Sequence, residues 1–198
     1  MKKVEGLSKD ELIELKREIG EAFVTNELFH EFGSLEERKP YVMRYMNWYV
    51  ECVYHSGELY QTEDGNGILG VAYSDRQPNF PKLRMLFQMM FGIPLSKMKP
   101  FLRHINEIAE CNKEYTKTPY TEILMVCVKK QAQKKGYTRQ LVEYAKEMAV
   151  KRGLPLLFDT DMEEYANIYQ HYGCTLYNTM TAFNGVTRYS LVWNGEKE

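Results

Sequence analysis

The segment that most constrains this chain is a buried-strand pattern that runs directly into a short polar loop and then into a helix. Residues 121–128, TEILMVCV, form an apolar run that is typical of a strand. Residues 136–151 place Leu141, Ala145 and Met148 on one helical face. Further strand, helix and hairpin patterns follow, so the second half reads β-α-β-α-β-β and predicts an α/β fold. Those segments are residues 154–159, 163–172, 174–177 and 186–193.

The loop between the strand and the helix is the best candidate for an anion site in the sequence. The first amides of a helix have no intrahelical partner and carry the positive end of the helix dipole. Gly136 allows the backbone to approach a ligand closely, and Lys134, Lys135 and Arg139 add positive charge. The pattern suits a phosphate group, although a solvated basic helix start would carry the same residues.

The first half is predicted to be mainly helical, with one β-hairpin. Ser8 and Glu11 have the spacing of a capping box, which predicts a helix from residue 9. Turn residues at 63–67 separate two short apolar runs and predict a hairpin. The strands of this hairpin are expected at residues 59–62 and 68–73. Further helices are expected at residues 22–32, 35–54, 83–91 and 97–109.

The helix predicted at residues 35–54 carries a stripe of large side chains. These are Tyr41, Val42, Tyr45, Met46, Tyr49 and Val53. Recurrence at three- and four-residue steps favours simple core packing, and a wall of a substrate pocket is the alternative. The methionine-rich segment at residues 83–91 carries the same two interpretations, because methionine fills both cores and permissive binding surfaces.

Composition excludes several classes of protein. The 198 residues, 44% of them hydrophobic, are enough for one domain with a sizeable core and too apolar for disorder. Lys and Arg number 26 and Asp and Glu 27, so the near-neutral charge argues against broad nucleic-acid or membrane binding. No run is long enough for a membrane span and no export signal begins the sequence, so we expect a cytoplasmic protein.

The four cysteines and four histidines carry no metal-binding or nucleophile motif. They are widely spaced, without a CxxC or CxxH pair, and free thiols in a reducing compartment are expected. A zinc site or a Cys/His nucleophile pair is therefore an alternative without local support, and no metal is predicted.

Several of these segments together resemble the GNAT superfamily of N-acetyltransferases. Gln133-x-x-Gly136-x-Thr138 is similar to the family's Q/R-x-x-G-x-G/A signature, which cradles the pyrophosphate of coenzyme A. The surrounding TEILMVCV and QKKGYTRQL resemble the family's fourth strand and third helix in register. Tyr169 to Gly173 resembles its Y-x-x-x-G element, and NGVTRYSLVW resembles its last hairpin strand. The resemblance covers residues 119–193, and the hairpin at 59–73 fits the family's early strands.

The resemblance implies a single GNAT domain over residues 1–198. Its fold would be α/β, with a mixed, mostly antiparallel sheet, a splayed fourth and fifth strand, and helices on both faces. Residues 1–56 would form an extra N-terminal helical part, and residues 57–198 a sheet-bearing core with its coenzyme-binding half at 119–193.

The resemblance also assigns roles in coenzyme binding. The main chain at Val126, Cys127 and Val128 would pair with pantetheine in the gap between the splayed strands, and an amide near Val126 would hold the thioester carbonyl. The pyrophosphate would be held by the loop and first helical turn. Its residues are Gln133, Lys134, Lys135, Gly136, Tyr137, Thr138 and Arg139.

Two catalytic roles follow in the same way. Tyr169 matches the tyrosine that commonly protonates the departing thiolate. Glu122 lies eleven residues before Gln133, the register of the catalytic glutamate in histone-type members, and partial burial would raise its pKa toward a useful value. The alternative for Glu122 is the role of an edge-exposed structural residue. The alternative bases are Asp159, Asp161 and ordered water.

The chain departs from the family pattern at two positions. Thr138 replaces the usual Gly or Ala, which keeps the amide but adds bulk near the phosphate. Cys174 replaces a common aromatic residue after Gly173, which affects packing.

The function implied is transfer of an acetyl group from acetyl-CoA to a primary amine of a small molecule, by direct attack in a ternary complex. No cysteine is placed for a covalent acyl-enzyme. The acceptor pocket would be lined by the aromatic stripe and the methionine-rich segment. A peptide or protein lysine acetyltransferase, and a non-catalytic coenzyme-A sensor or interaction module, are the alternatives. The resemblance also implies that two copies can pair as a homodimer through the exposed final strands.

Overall fold

The computed structural model describes residues 1–76, 92–109 and 117–195, and these build one mixed seven-stranded sheet. The strands are β1 (Lys2–Lys3), β2 (Glu58–Gln61), β3 (Gly67–Tyr73), β4 (Thr121–Val128), β5 (Leu156–Thr160), β6 (Thr175–Thr181) and β7 (Thr187–Trp193). Their order across the sheet is β1-β2-β3-β4-β5-β7-β6. Only the β4–β5 pair is parallel among these neighbours. The predicted mixed, mostly antiparallel sheet is confirmed.

Five α-helices flank the sheet in the described part of the chain. They are α1 (Lys9–Phe23), α2 (Leu35–Ser56), α3 (Leu95–Ile108), α4 (Tyr137–Arg152) and α5 (Glu163–His171). The capping box at Ser8 and Glu11 is formed, and Ser34 and Glu37 make a second one at the start of α2. The helix predicted at 83–91 lies outside the described residues, as does Cys111.

The helix predicted at residues 22–32 is wrong. Helix α1 instead continues to Phe23, and a separate 3-10 helix covers Glu27–Phe32. Asn26 breaks the run because its side chain accepts a hydrogen bond from the Leu28 amide at 2.8 Å, which starts the new turn. The apolar periodicity carried across this break, so it did not reveal the change of helix.

The two faces of the sheet bury two separate cores, which confirms helices on both sides. On one face, which we call the α2 face, α1, α2, α3 and the 3-10 helix pack around residues such as Ile19, Met46 and Phe101. On the other, the α4 face, α4 and α5 pack around residues such as Leu141, Phe158 and Leu191. The aromatic stripe of α2 lies in the first core, where Val42, Met46 and Val53 are buried.

Strand β1 was not predicted from the sequence. It has two residues, too few to show alternation, and its pairing is antiparallel to β2. Helices α1 and α2 therefore connect two paired strands. The N-terminal part, which was expected to be helical, also contributes one strand to the sheet.

Strands β4 and β5 separate after three residue pairs, as the predicted splay requires. Thr121, Glu122 and Ile123 pair with Leu156, Leu157 and Phe158. Beyond Ile123, β4 continues to Val128 but pairs only with β3 among the described strands. The side of β4 that faces β5 is therefore open from Leu124 to Val128.

A β-bulge in β4 lies where this gap begins. Ile123 pairs with Val71 and Met125 pairs with Gly70, so Leu124 is the extra residue. Ile123 packs in the core on the α4 face, whereas Leu124 and Met125 both pack on the α2 face. A regular strand would alternate throughout, so the bulge reverses the facing of the strand after Ile123.

Candidate active site

The gap between β4 and β5 opens toward the loop that begins α4. The loop comprises a 3-10 turn at Lys130–Ala132 and residues 133–136. Lys134 has φ 63° and Gly136 has φ 85°, so two backbone units within three residues are left-handed. This conformation turns the chain sharply from the strand into the helix. The side chains of Gln133, Lys134 and Lys135 are exposed.

The amides of residues 134–139 have no hydrogen-bond acceptor among the described residues. Gly136 is the N-cap of the helix and provides no side-chain cap, so these donors are available to an anion. A Cβ placed on Gly136 meets nothing within 4 Å, which means that open space lies directly against the backbone there. Unpaired amides, a left-handed glycine and open space together fit a phosphate group.

The side chain of Tyr137 does not face this space. Its hydroxyl donates a hydrogen bond to Asp64 in the β2–β3 turn, so only its amide remains for a ligand at the helix start. Arg139 is exposed, with its guanidinium 6.0 Å from the Tyr172 ring centre. Thr138 is half-buried at the first turn, and its amide is among the unpaired ones.

The three predicted pantetheine-binding residues lie on the open stretch of β4. Val126 and Val128 turn their side chains to the α4 face, and Cys127 is buried in the core on the α2 face. Burial raises the pKa of Cys127 to about 12, so its thiol is neutral and its side chain serves packing. Any contact of Cys127 with a ligand in the gap is therefore through its main chain.

Tyr169 lies on α5 against β5, with its ring buried at 7% exposure. The ring packs edge-on against Phe158, with 4.8 Å between the ring centres. Burial raises the pKa of Tyr169 well above its ordinary value, which keeps the phenol protonated at neutral pH. No described residue forms a hydrogen bond with its hydroxyl.

Glu122 lies on the opposite face of the sheet from Tyr169. It alternates with Ile123, which packs on the α4 face, so the Glu122 side chain points to the α2 face and is half-buried. The pKa of Tyr49 on α2 is raised chiefly by burial, and the charge of Glu122 adds to the effect. Glu122 therefore lies close to Tyr49 on α2. The structure therefore brings the proposed base beside the aromatic stripe.

The two alternative bases differ in their surroundings. Asp161 is buried and holds both its oxygens against Arg188, with Nε–Oδ1 at 2.7 Å and Nη2–Oδ2 at 2.8 Å. Asp159 Oδ2 lies 3.5 Å from Arg188 Nη1. The bidentate pair engages both carboxylate oxygens of Asp161 with Arg188.

Sequence reasoning missed several residues that shape the α2 face near the gap. Arg188 on β7 is one, and it had no motif. The Tyr49 hydroxyl donates to the carbonyl of the bulge residue Leu124 at 3.2 Å. Asn184, in the β6–β7 turn, donates to Glu31 at 2.8 Å and lies 3.2 Å from His104 Nδ1. These contacts join residues far apart in the chain, so only the hydrophobic stripe of α2 gave any signal.

Cys174 is buried in the core on the α4 face, in line with an effect on packing alone. Within the described residues, no group of three or more His, Cys, Asp or Glu side chains is arranged to hold a metal ion. No helix in the same ranges combines the length and the apolar character that crossing a bilayer demands.

Comparison with known proteins identifies the family of the chain. The family model described as "Acetyltransferase (GNAT) family" matches residues 22–169. The chain belongs to the GNAT acetyltransferase family. No curated protein matches the chain.

Several solved structures share the fold. An arylalkylamine N-acetyltransferase 2 from Aedes aegypti is 15% identical, with 95% of each chain covered and a TM-score of 0.57. An agmatine N-acetyltransferase variant in its apo form is 11% identical, with 94% of this chain and 96% of that chain covered and a TM-score of 0.60. A protein from Corynebacterium glutamicum, described as histone acetyltransferase HPA2 and related acetyltransferase, is 11% identical, with 97% and 96% covered and a TM-score of 0.59. At these identities the similarity establishes the fold alone.

Proposed function

We propose that this protein transfers an acetyl group from acetyl-CoA to a primary amine of a small molecule. The observation that carries the proposal is the open side of β4 from Leu124 to Val128, which leads to the unpaired amides of residues 134–139. An extended thioester arm fits a gap between strands, and a pyrophosphate fits the start of a helix. Acetyl-CoA carries both groups in one molecule.

The residues of this chain would divide the work of binding as follows. The amides at the start of α4 hold the pyrophosphate, and the exposed Lys134, Lys135 and Arg139 attract it from solution. The free main chain of β4 holds the pantetheine arm. An amide near Val126 polarises the thioester carbonyl, because a fixed donor stabilises the charge that develops on that oxygen.

Acid and base would act from opposite faces of the sheet. Glu122 on the α2 face accepts a proton from the acceptor amine, directly or through water, so that the nitrogen can attack the carbonyl carbon. A carbon–nitrogen bond then forms and the carbon–sulfur bond breaks. Tyr169, on the α4 face and protonated at neutral pH, donates its proton to the departing thiolate. This arrangement requires no covalent acyl-enzyme.

The acceptor would enter on the α2 face, beside Tyr45 and Tyr49. Their rings stack with 5.9 Å between centres. Burial raises the pKa of Tyr45 to about 12, and the positive charge of Arg188 opposes that shift, so the aromatic stripe reaches the polar ends of β5 and β7. A pocket with aromatic walls and carboxylates favours an amine with a partly apolar body.

The test is the release of coenzyme A from acetyl-CoA in the presence of an amine panel. The names of two structural neighbours suggest arylalkylamines and agmatine as first members, and a lysine peptide tests the protein-acceptor alternative. We expect Tyr169→Phe to lower kcat by about 100-fold, the usual lower range for a lost general acid.

Tyr144→Phe is the matched control. Tyr144 on α4 packs against the core on the same face, but its ring contacts Tyr60, with 5.2 Å between ring centres. Removal of the Tyr144 hydroxyl should leave kcat unchanged. Binding of coenzyme A without turnover on the whole panel would overturn the catalytic proposal in favour of a sensor, and no binding would favour an interaction module.

A further inference from the structure

The turn between β2 and β3 contacts both ends of the loop that precedes α4. At the near end, the Lys129 amide donates to the Asn66 carbonyl at 2.9 Å. At the far end, the Tyr137 hydroxyl donates to Asp64 Oδ2, and Asn66 Nδ2 lies 3.4 Å from the same hydroxyl. Residues 129–137 are thus attached at both ends to one turn that lies more than 60 positions earlier in the chain.

The turn itself is held by a closed set of hydrogen bonds. Asp64 Oδ1 accepts from Thr62 Oγ1 at 2.7 Å and from the Asn66 amide at 3.1 Å. Asn66 Nδ2 donates to Asp64 Oδ2 at 2.8 Å, and the Gly67 amide donates to Thr62 Oγ1 at 2.9 Å. The hydrogen bonds that Asp64 accepts from Tyr137, Thr62 and Asn66 favour the carboxylate, with that from Tyr137 the largest effect, so the pKa of Asp64 lies well below its ordinary value. Asp64 is ionised across the neutral range.

The loop needs such support from outside. Lys134 and Gly136 are both left-handed, and a non-glycine residue in that region is strained. Strained backbone persists only where the surrounding structure fixes it. Amides 134–139 receive no support from described residues, and the side chains of residues 133–135 are exposed. The fixed points therefore lie at the two ends of the loop.

We infer that Asp64 and Tyr137 form a clip that holds this loop in the shape that binds the coenzyme pyrophosphate. The inference rests on the proposed function. In this clip, Asp64 is a positioning residue, because Asp64 contacts Tyr137 and not the coenzyme. Its effect is to fix the first turn of α4, and with it the direction of the unpaired amides.

The sign of one substitution separates the clip from simple electrostatics. Asp64 is an anion close to a site for a second anion, so charge repulsion alone predicts that Asp64→Asn binds coenzyme A more tightly. The clip predicts the reverse, because an amide is a weaker acceptor for the Tyr137 hydroxyl than a carboxylate is. Asn and Asp have nearly the same size, so this substitution changes only the charge and the strength of the acceptor.

The experiment measures coenzyme A binding to the full chain by calorimetry. We expect Asp64→Asn and Tyr137→Phe each to weaken binding about tenfold, which corresponds to about 1.4 kcal/mol. The double variant should lose no more than either single one, because both remove the same bond. Glu63→Gln is the control: this neighbouring exposed carboxylate pairs with Lys2 and the N-terminus, and its loss should leave affinity unchanged.

A second substrate distinguishes positioning from a general loss of stability. S-acetylpantetheine has the thioester arm without the pyrophosphate. Asp64→Asn should raise KM for acetyl-CoA about tenfold at unchanged kcat, and leave both constants for S-acetylpantetheine unchanged. Equal losses with both substrates would assign Asp64 a structural role and overturn the inference.

The remaining outcomes separate the inference from the proposed function. A wild-type chain that binds no coenzyme A overturns both. A wild-type chain that binds coenzyme A, with Asp64→Asn binding equally well, overturns the clip alone. Tighter binding by Asp64→Asn leaves the coenzyme site intact and shows that Asp64 acts only through its charge.

Discussion

Replacement of Gly136 by alanine tests the central element of the site, and Gly153 provides a matched control in the same helix. Gly136 directly precedes α4 at φ 85°, and Gly153 directly follows it at φ 65°. A Cβ at either position meets nothing within 4 Å, so neither substitution causes a clash. An L-residue in the left-handed region costs about 1–2 kcal/mol. Both variants should lose this amount of stability.

The two variants should differ in coenzyme binding. A methyl group on Gly136 occupies the open space that the phosphate would fill, whereas one on Gly153 lies at the far end of the helix. We expect Gly136→Ala to weaken coenzyme A binding by at least about tenfold, or about 1.4 kcal/mol, and Gly153→Ala to leave it unchanged. Thermal melts should show similar losses for both, of about 2–4 °C per kcal/mol in a chain of this size.

Gly136→Glu extends the series by adding charge. A carboxylate about 4 Å from a phosphate charge costs about 1 kcal/mol in water and about 4 kcal/mol near a protein surface. The expected loss of affinity is therefore between about fivefold and a thousandfold, in a chain that still folds. Calorimetry with coenzyme A measures it. Gly136→Ala binding as tightly as Gly153→Ala would refute the assignment of the loop as the phosphate site.

Two further predictions concern carboxylates. If Glu122 is the base, Glu122→Gln should lower kcat about 100-fold and remove the acidic limb of the pH–rate profile. Asp159→Asn should lower kcat by a smaller factor. A larger loss of kcat for Asp159→Asn would transfer the role of base to Asp159. Burial acts to raise the pKa of Glu58, but hydrogen bonds from Tyr60, Tyr73 and Arg76 outweigh it and lower the pKa overall. Ionised Glu58 therefore stabilises the fold above its ordinary pKa, and this contribution is lost as the pH falls through the lowered value. Urea unfolding between about pH 5 and pH 3 should show a larger loss for the wild type than for Glu58→Gln, and equal losses would contradict this explanation.

Local patterns were enough to predict the elements that carry the loop. Strand 121–128 and the helices beginning at residues 9 and 35 were predicted with the correct starts, because apolar periodicity and capping residues act over a few positions. The resemblance identified the family and the loop because its motif is contiguous in sequence. The splayed pair was also expected from the resemblance, and the short β4–β5 pairing confirms it.

Contacts between distant segments were beyond the reach of sequence patterns. The alternation of TEILMVCV is regular in burial, yet the strand changes its facing at the bulge because of its register with β3. The Arg188–Asp161 pair, the Tyr137–Asp64 bond and the Tyr49–Leu124 bond likewise join different elements. Each of these contacts forms only when the sheet and helices have packed, so no local sequence motif predicts it. The acid and base assignments remain predictions for the same reason.

The bulge explains how one strand serves two structural roles. Before it, β4 pairs with both neighbours and is part of a continuous sheet; after it, β4 pairs with β3 and leaves its other side open. Gly70 stands opposite the bulge, where a Cβ would lie 2.8 Å from Cγ of the Met125 side chain, so a larger residue there would displace that side chain. On the α2 face, the Tyr49 hydroxyl satisfies the carbonyl of Leu124. A close approach from β3 and a hydrogen bond from α2 thus fix the bulge at the point where the gap begins. Beyond this point β4 has no strand partner on the side that faces β5 among the described residues, which is the condition that the proposed binding of an extended ligand requires.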